Sequence, residues 1–295
     1  MTLAVNYSRA AEDLLDQGSI TFDCFKCPAW PDLVETIRRI HPVYVHFPLV
    51  VGRGIGDAID TETRRAADWS EVETLLEQTG TQLINLHLAP TRHDHPGIPL
   101  ESEAPEHVEL LTASLIRDVR AVVERFGPER VIVESIYDDG GTYLRPAYRP
   151  DVVRRVVDET GCGFLLDVSH ARLAASHLGM DAWAYLNALP VERIREIHIT
   201  GSQRFDERWV GRLRRTNVDA RTIDRLAGRL LDHLPLTADD WTFAERALER
   251  VRSGAWGEPL IVALEYGGVG APWEALTDPE VLREQVPRLY ALINR

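Results

Sequence analysis

Eight short runs of β-branched and apolar residues alternate along the chain with longer stretches of helical period, and this alternation restricts the fold more than any other feature. The runs are Leu3–Asn6, Ile20–Phe25, Val43–Phe47, Leu83–Leu88, Arg130–Ser135, Gly163–Ser169, Ile194–Thr200 and Leu260–Tyr266. Helices are expected between them at about 8–17, 31–40, 69–79, 106–126, 150–160, 181–188 and 238–253, with a last one at about 278–294. Start signals support them: Ser8 before Arg9-Ala10-Ala11-Glu12, Asp181 before Ala182-Trp183, and Asp278-Pro279-Glu280. Near-continuously apolar strands belong in a parallel sheet covered on both faces, and closing that sheet removes its edges. The expected fold is a single (β/α)₈ TIM barrel over residues 1–295, since barrels of this length form one unit and no Gly-, Ser- or Pro-rich linker divides the chain. The loop from Leu88 to Ala104 and the stretch from Gly201 to Thr237 are long for barrel connections, which marks them as functional.

A barrel enzyme builds its site at the C-terminal ends of its strands. Those ends are rich in ligand-type side chains: His46 on strand three, His87 on four, Glu134 on five, Asp167 and then His170 on six, His198 on seven and Glu265 on eight. Each interrupts an apolar run, where an uncompensated carboxylate costs several kcal/mol. One buried histidine is ordinarily a hydrogen-bonded core residue; seven such residues at matching topological positions point to metal. Imidazole and carboxylate without thiolate suit iron, zinc or manganese, and the set exceeds what one tetrahedral ion needs. Asp232 and His233, late in the long stretch, are further candidate ligands, and Asp206 is another carboxylate there. His93 and His95 belong to a polar loop above the same mouth. His41, His107 and His177 fall outside the pattern and read as surface residues.

The formal net charge of −13 repels a phosphate backbone, so no nucleic-acid partner is expected. The densest basic stretch, Arg204, Arg208, Arg212, Arg214 and Arg215, is diluted by Asp206 and Glu207 and reads as a solvated helix and loop. No apolar run reaches the ~18 residues that span a bilayer, and no basic-then-apolar export segment opens the chain, so a cytoplasmic protein without a membrane partner is expected. Cys24 and Cys27 form a C-x-x-C without a second pair of soft ligands, which favours packing cysteines over a redox pair. Cys162 lies at the opposite end of strand six and reads as structural. Lys26, near the end of strand two, is the only lysine, a pattern of genomic codon bias.

The stretch Gly161-Cys-Gly-Phe-Leu-Leu-Asp-Val-Ser-His-Ala, then Asp181-Ala-Trp-Ala-Tyr-Leu-Asn-Ala-Leu-Pro and Ile194-Arg-Glu-Ile-His-Ile-Thr-Gly-Ser, resembles the multinuclear non-haem iron-dependent oxidases, formerly a domain of unknown function. Glu134 followed by Gly141-Thr-Tyr-Leu, and Leu264-Glu-Tyr-Gly, are also similar. That family is similar to xylose-isomerase-type barrels in fold and to endonuclease IV in ligand order. The resemblance implies two or three iron ions, dioxygen as co-substrate, a cysteine thiol of a peptide or small molecule as substrate, and a recognition partner protein. Carried over by residue, it implies His46, His87, Glu134, Asp167, His170, His198 and Glu265 as the metal set, with Glu134, Asp167 and Glu265 catalytic. The chain departs from the family where Asp232 stands adjacent to His233 in place of Asp-x-His, where Ser135 follows Glu134, and through most of the amino-terminal region. The rival readings are a divalent-metal sugar isomerase or epimerase, for which Lys26 is an available proton carrier, and an endonuclease IV-like zinc phosphodiesterase, which the acidic charge disfavours. A barrel that has lost its chemistry is the remaining alternative.

Overall fold

A computed structural model describes residues 1–137 and 141–295. Its barrel strands are β1 (Thr2–Asn6), β2 (Cys24–Pro28), β3 in two segments (Val43–His46 and Leu49–Val51), β4 (Ile84–Leu88), β5 (Val131–Ser135), β6 (Gly163–Asp167), β7 (Ile194–Ile199) and β8 (Ile261–Leu264). β1 pairs in parallel with both β2 and β8, and the ladder continues through β7, β6 and β5 to β4. The circle closes through β3, whose first segment pairs with β2 and whose second pairs with β4. Pro48 stands between the two segments and has no N–H to offer a ladder. The buried amide of Asn85 on β4 fills that seam: its Oδ1 accepts the Phe47 N–H at 2.7 Å and its Nδ2 donates to Phe47 O at 2.9 Å. The fold is therefore a (β/α)₈ TIM barrel with one strand broken in mid-course.

Side chains alternate along each strand, one face to the helices and one to the barrel axis. Leu3, Val5, Phe25, Cys27, Val133, Leu166, Ile197 and Leu264 join the outer core against the helices. Facing inward, Leu83, Ile132, Leu165 and Leu260 form one layer, and Ala4, Cys24, Tyr44 and Ala263 form another. At the C-terminal end of each strand the inward position is polar: Asn6, Lys26, His46, His87, Glu134, Asp167, His198 and Glu265. One polar side chain per strand thus rings the C-terminal mouth.

Two local expectations are corrected. Strand two runs Cys24–Pro28 and not Ile20–Phe25, because the paired stretch begins only where Ala4 and Val5 meet Cys24 and Phe25. Ile20 and Phe22 are buried ahead of it, and the Asp23 carboxylate accepts the Leu3 N–H at 2.7 Å. Strand six ends at Asp167, which also caps a helix over Val168–His177, so the expected strand end at Ser169 is already helical. The long stretch after β7 is an antiparallel hairpin, Gly201–Arg204 with Leu230–Leu234, enclosing two short helices around their own small core of Phe205, Trp209, Leu213 and Ile223. Among the described residues no helix is long and apolar enough to cross a membrane.

Candidate metal centre

The residues of the mouth make two chains of contacts. His46 Nε2 lies 3.3 Å from His87 Nε2, and His87 Nε2 lies 3.2 Å from Glu134 Oε2. The other oxygen of Glu134 stands 2.9 Å from His170 Nδ1, which is 3.9 Å from Asp167 Oδ2. His198 Nδ1 stands 3.2 Å from Glu265 Oε1. Three groups of side chains can bring ligand atoms within 4.8 Å of one another: His46, His87 and Glu134; Glu134, Asp167 and His198; and His46, Glu196 and His198. Glu134 belongs to two of them.

Local structure fixes how each imidazole is presented. His87 Nδ1 bonds Leu49 O at 2.9 Å on the second segment of β3, which leaves Nε2 to face the ring. Asp167 accepts the His170 N–H at 2.8 Å, so one carboxylate caps the helix and sets the ring direction of the histidine three residues on. His170 Nε2 meets Asp232 Oδ2 at 2.7 Å, and His198 Nε2 meets Glu196 Oε1 at 2.7 Å. Both are carboxylate–histidine pairs of the kind that orient metal-bound imidazoles and raise their basicity. Glu196 is fully buried, lies two residues before His198 on the same face, and also accepts the Tyr44 hydroxyl.

The electrostatics follow from five carboxylates in a buried space. Burial opposes ionisation of Glu134, yet His87 and His170 hold its carboxyl well below the usual carboxylate range. Burial likewise opposes ionisation of Glu265, and His198 and Lys26 overcome it. Asp167 is pushed up to about 6 by burial. Burial disfavours protonation of His198 and His170, but Glu265 drives the first up to about 10, and Asp167 with Asp232 and Glu134 raises the second well above the ordinary imidazole value. His46 goes the other way, held well below that value by burial and then by the Lys26 ammonium. It therefore stays neutral with a lone pair to give.

These residues fit a metal. With metal–ligand bonds of about 2.0–2.2 Å, two ligand atoms on one ion stand about 2.9–3.5 Å apart, and the contacts of 2.9, 3.2 and 3.3 Å fall in that range. His46 Nδ1, Glu134 Oε2, Asp167 Oδ2, His170 Nδ1 and His198 Nδ1 are buried and have no hydrogen bond of acceptable geometry among the described residues. Buried polar atoms are ordinarily satisfied, so orphans on five residues of one ring fit a bound cation.

The other sequence-derived candidates divide. Asp232 joins the ring through His170, whereas its neighbour His233 faces Asn6 Nδ2 at 3.4 Å and lies tilted against the Trp273 ring. His233 has φ 56°, a left-handed backbone costing about 1–2 kcal/mol in a non-glycine residue, and its backbone is held by Thr200 Oγ1 and the Gly267 N–H. Asp206 is not at the ring; it caps the helix Glu207–Leu213 by accepting the Arg208 N–H. His95 bonds Gly52 O, His41 approaches Phe22 O, and His107 bonds Ser102. Cys24 faces the barrel axis and Cys27 the outer core, so they are no redox pair, and burial pushes both thiols up to about 12. Lys26, in the body of β2, is buried and ion-paired with Glu265 Oε1. Glu196 was missed; its place two residues before His198, on the same strand face, was the available signal.

Two cavities flank the ring. One, of about 210 Å³, is walled by Pro28, Trp30, Pro48 and Trp273 and reaches Lys26 and His46. The other, of about 240 Å³, reaches His87, His170 and Asp232 past Tyr137 and Tyr143.

Residues 26–220 match the family model of the RiPP precursor modification enzymes MbnB/TglH/ChrH. A UPF0276 protein of Paraburkholderia phytofirmans is 29% identical over 186 residues, 59% of this chain and 55% of that protein. Another, of Rhizorhabdus wittichii, is 27% identical over 178 residues, 58% of each. The match thus spans somewhat over half the length of these relatives. Among solved structures, a xylose isomerase domain containing protein from Salmonella typhimurium LT2 superposes with a TM-score of 0.54 at 15% identity, covering 100% of this chain and 97% of that one. A 3-keto-D-glucoside 4-epimerase from E. coli gives 0.53 at 16% identity, with 99% of each chain covered. These two likenesses are of fold.

Proposed function

Because the chain belongs to the RiPP precursor modification enzymes MbnB/TglH/ChrH, we propose that it oxidises a cysteine thiol, carried on a peptide or a small molecule, at the expense of dioxygen and with iron held at the strand ends. The observation that carries this reading is the set of buried nitrogen and oxygen atoms without hydrogen-bond partners, spaced as ligands of shared ions. In this reading His46, His87 and Glu134 hold one ion, and Glu134, Asp167, His170 and His198 hold a second. Asp232 and Glu196 orient His170 and His198. Glu265, expected as a ligand, closes the ring beside His198.

Bound iron supplies electron transfer between a substrate sulfur and dioxygen, and carboxylate and imidazole ligands suit it because they leave positions open. The chain supplies the rest. The aromatic and proline walls of the 210 Å³ cavity exclude water around an entering side chain, and Lys26 at its floor favours a thiolate over a thiol. His233 lines the same cavity and takes the thiol proton. A reducing compartment such as the cytoplasm agrees with three free, buried cysteines. Delivery of a peptide by a recognition partner belongs to the same reading.

The test is oxygen uptake by protein purified anaerobically from iron-replete cells. Uptake that depends on an added thiol or cysteine-containing peptide, and that Glu134→Gln abolishes, is expected. A site filled by zinc alone with no uptake on any thiol overturns the reading. The lysine at the cavity floor keeps a sugar isomerase or epimerase as the second reading, and manganese-dependent turnover of a free sugar without oxygen would favour it.

A further inference from the structure

We propose that the Lys26 ammonium takes the place of a third cation, so that this chain assembles a two-metal centre and a third ion enters only when the ammonium is removed. Of the eight inward side chains at the mouth, six are histidine or carboxylate; β1 contributes neutral Asn6, and β2 contributes Lys26. The ammonium is buried and bonds the Glu265 oxygen that also stands 3.2 Å from His198 Nδ1. A donor that would otherwise turn to a metal is thus occupied by a fixed positive charge.

Charge balance points the same way. Glu134, Asp167, Glu196, Asp232 and Glu265 bring five negative charges to the buried space. Lys26 answers one, and two divalent ions answer the remaining four. A third divalent ion would meet a like charge on the carboxylate it needed. The lone lysine among so many arginines also has a physical reason here, since a compact point charge fits a space that a planar guanidinium would overfill. With the ammonium removed, Glu265 would look into the cavity that His46 and His233 line, where an entering ion finds nitrogen donors.

This inference rests on reading the ring as a metal centre, and its test separates the two. Metal-free protein is titrated anaerobically with Fe²⁺ and, in a parallel series, with Co²⁺, desalted, and its metal counted by mass spectrometry. Wild type is expected to hold two ions per chain and Lys26→Met three, with new cobalt ligand-field absorption for the third, while circular dichroism reports that the variant is folded. Three ions in wild type, or two in folded Lys26→Met and Lys26→Gln, overturn the inference; no ions in wild type overturns the metal centre itself. Because the chain has one lysine, reductive methylation reads that amine against only the amino terminus. Lys26 is expected to stay protected in the fully loaded wild type, and its exposure as the last ion enters overturns the inference without any variant.

Discussion

The Nε2 atoms of His46 and His87 face each other at 3.3 Å across the seam where β3 breaks, and the Asn85 amide reaches both sides of that seam. Its Nδ2 lies 3.1 Å from His46 Nε2 while the same side chain bonds the Phe47 N–H and C=O. The broken seam and the His46 imidazole are therefore held by one amide, while His87 takes its orientation from Leu49 O.

Asn85→Ala leaves a buried N–H and a buried C=O without partners, each costing about 1–3 kcal/mol. The unfolding free energy is expected to fall by roughly 2–5 kcal/mol in urea titration. A loss below about 0.5 kcal/mol would show that the seam does not depend on Asn85.

Glu134 stands in both the His46–His87 group and the Asp167–His198 group. Glu134→Gln is expected to lower the content of both ions, whereas His87→Ala lowers one selectively. Metal analysis after desalting checks this; equal loss in the two variants would contradict the bridging position.

Glu196 bonds His198 Nε2 with one oxygen and accepts the Tyr44 hydroxyl with the other. Partners of this kind are worth about 10- to 100-fold in metal affinity. Glu196→Gln is expected to weaken metal binding in that range with the far-ultraviolet spectrum intact, and unchanged affinity in a chelator competition would count against the assignment.

The metal-free protein should be less stable at high pH. His198, raised to about 10, contributes stability that is full below its unfolded value of about 6.5 and is lost as pH rises through about 10. His170 is raised in the same direction, and the contribution of Asp167 is lost as pH rises through about 6. The Tm of chelated protein is expected to fall by several degrees between pH 6 and 10. Ligated imidazoles and carboxylates no longer titrate in that window, so the loaded protein should lose less Tm than the metal-free one, the fall the two share above about pH 9 coming from the buried thiols. A metal-free Tm that rises with pH would contradict these assignments.

The cysteines should be silent in the native state. Burial pushes the Cys24 and Cys27 thiols up to about 12 and Cys162 up to about 11. At pH 8 a chromogenic disulfide is expected to react with none of the three until guanidinium unfolds the chain. Rapid reaction of Cys24 and Cys27 alone would restore the redox pair.

Much of the barrel was legible because its signal is local. His46, His87, Glu134, His198 and Glu265 each break an apolar run, and desolvation makes such a break costly unless something compensates it. What stayed hidden depends on neighbours. The start of β2 at Cys24 is set by its pairing with β1, not by the apolar alternation of Ile20 and Phe22. Asp167 ends a strand and caps a helix with one side chain, so Val168 and Ser169, the start of the helix over Val168–His177, were read as strand. Glu196 was passed over for the polar residue two places after it. The Asp232–His233 pair splits because adjacent residues of the hairpin strand face opposite ways, which spacing alone does not show. The matched family region ends at residue 220, before that pair and before Glu265.

Anomalous diffraction at the iron edge, on crystals grown anaerobically from iron-loaded protein, tests the central claim most directly. Two peaks are predicted inside the strand-end ring, one among His46, His87 and Glu134 and one among Glu134, Asp167, His170 and His198. Density for protein alone at those positions, with no anomalous peak in the ring, would contradict it.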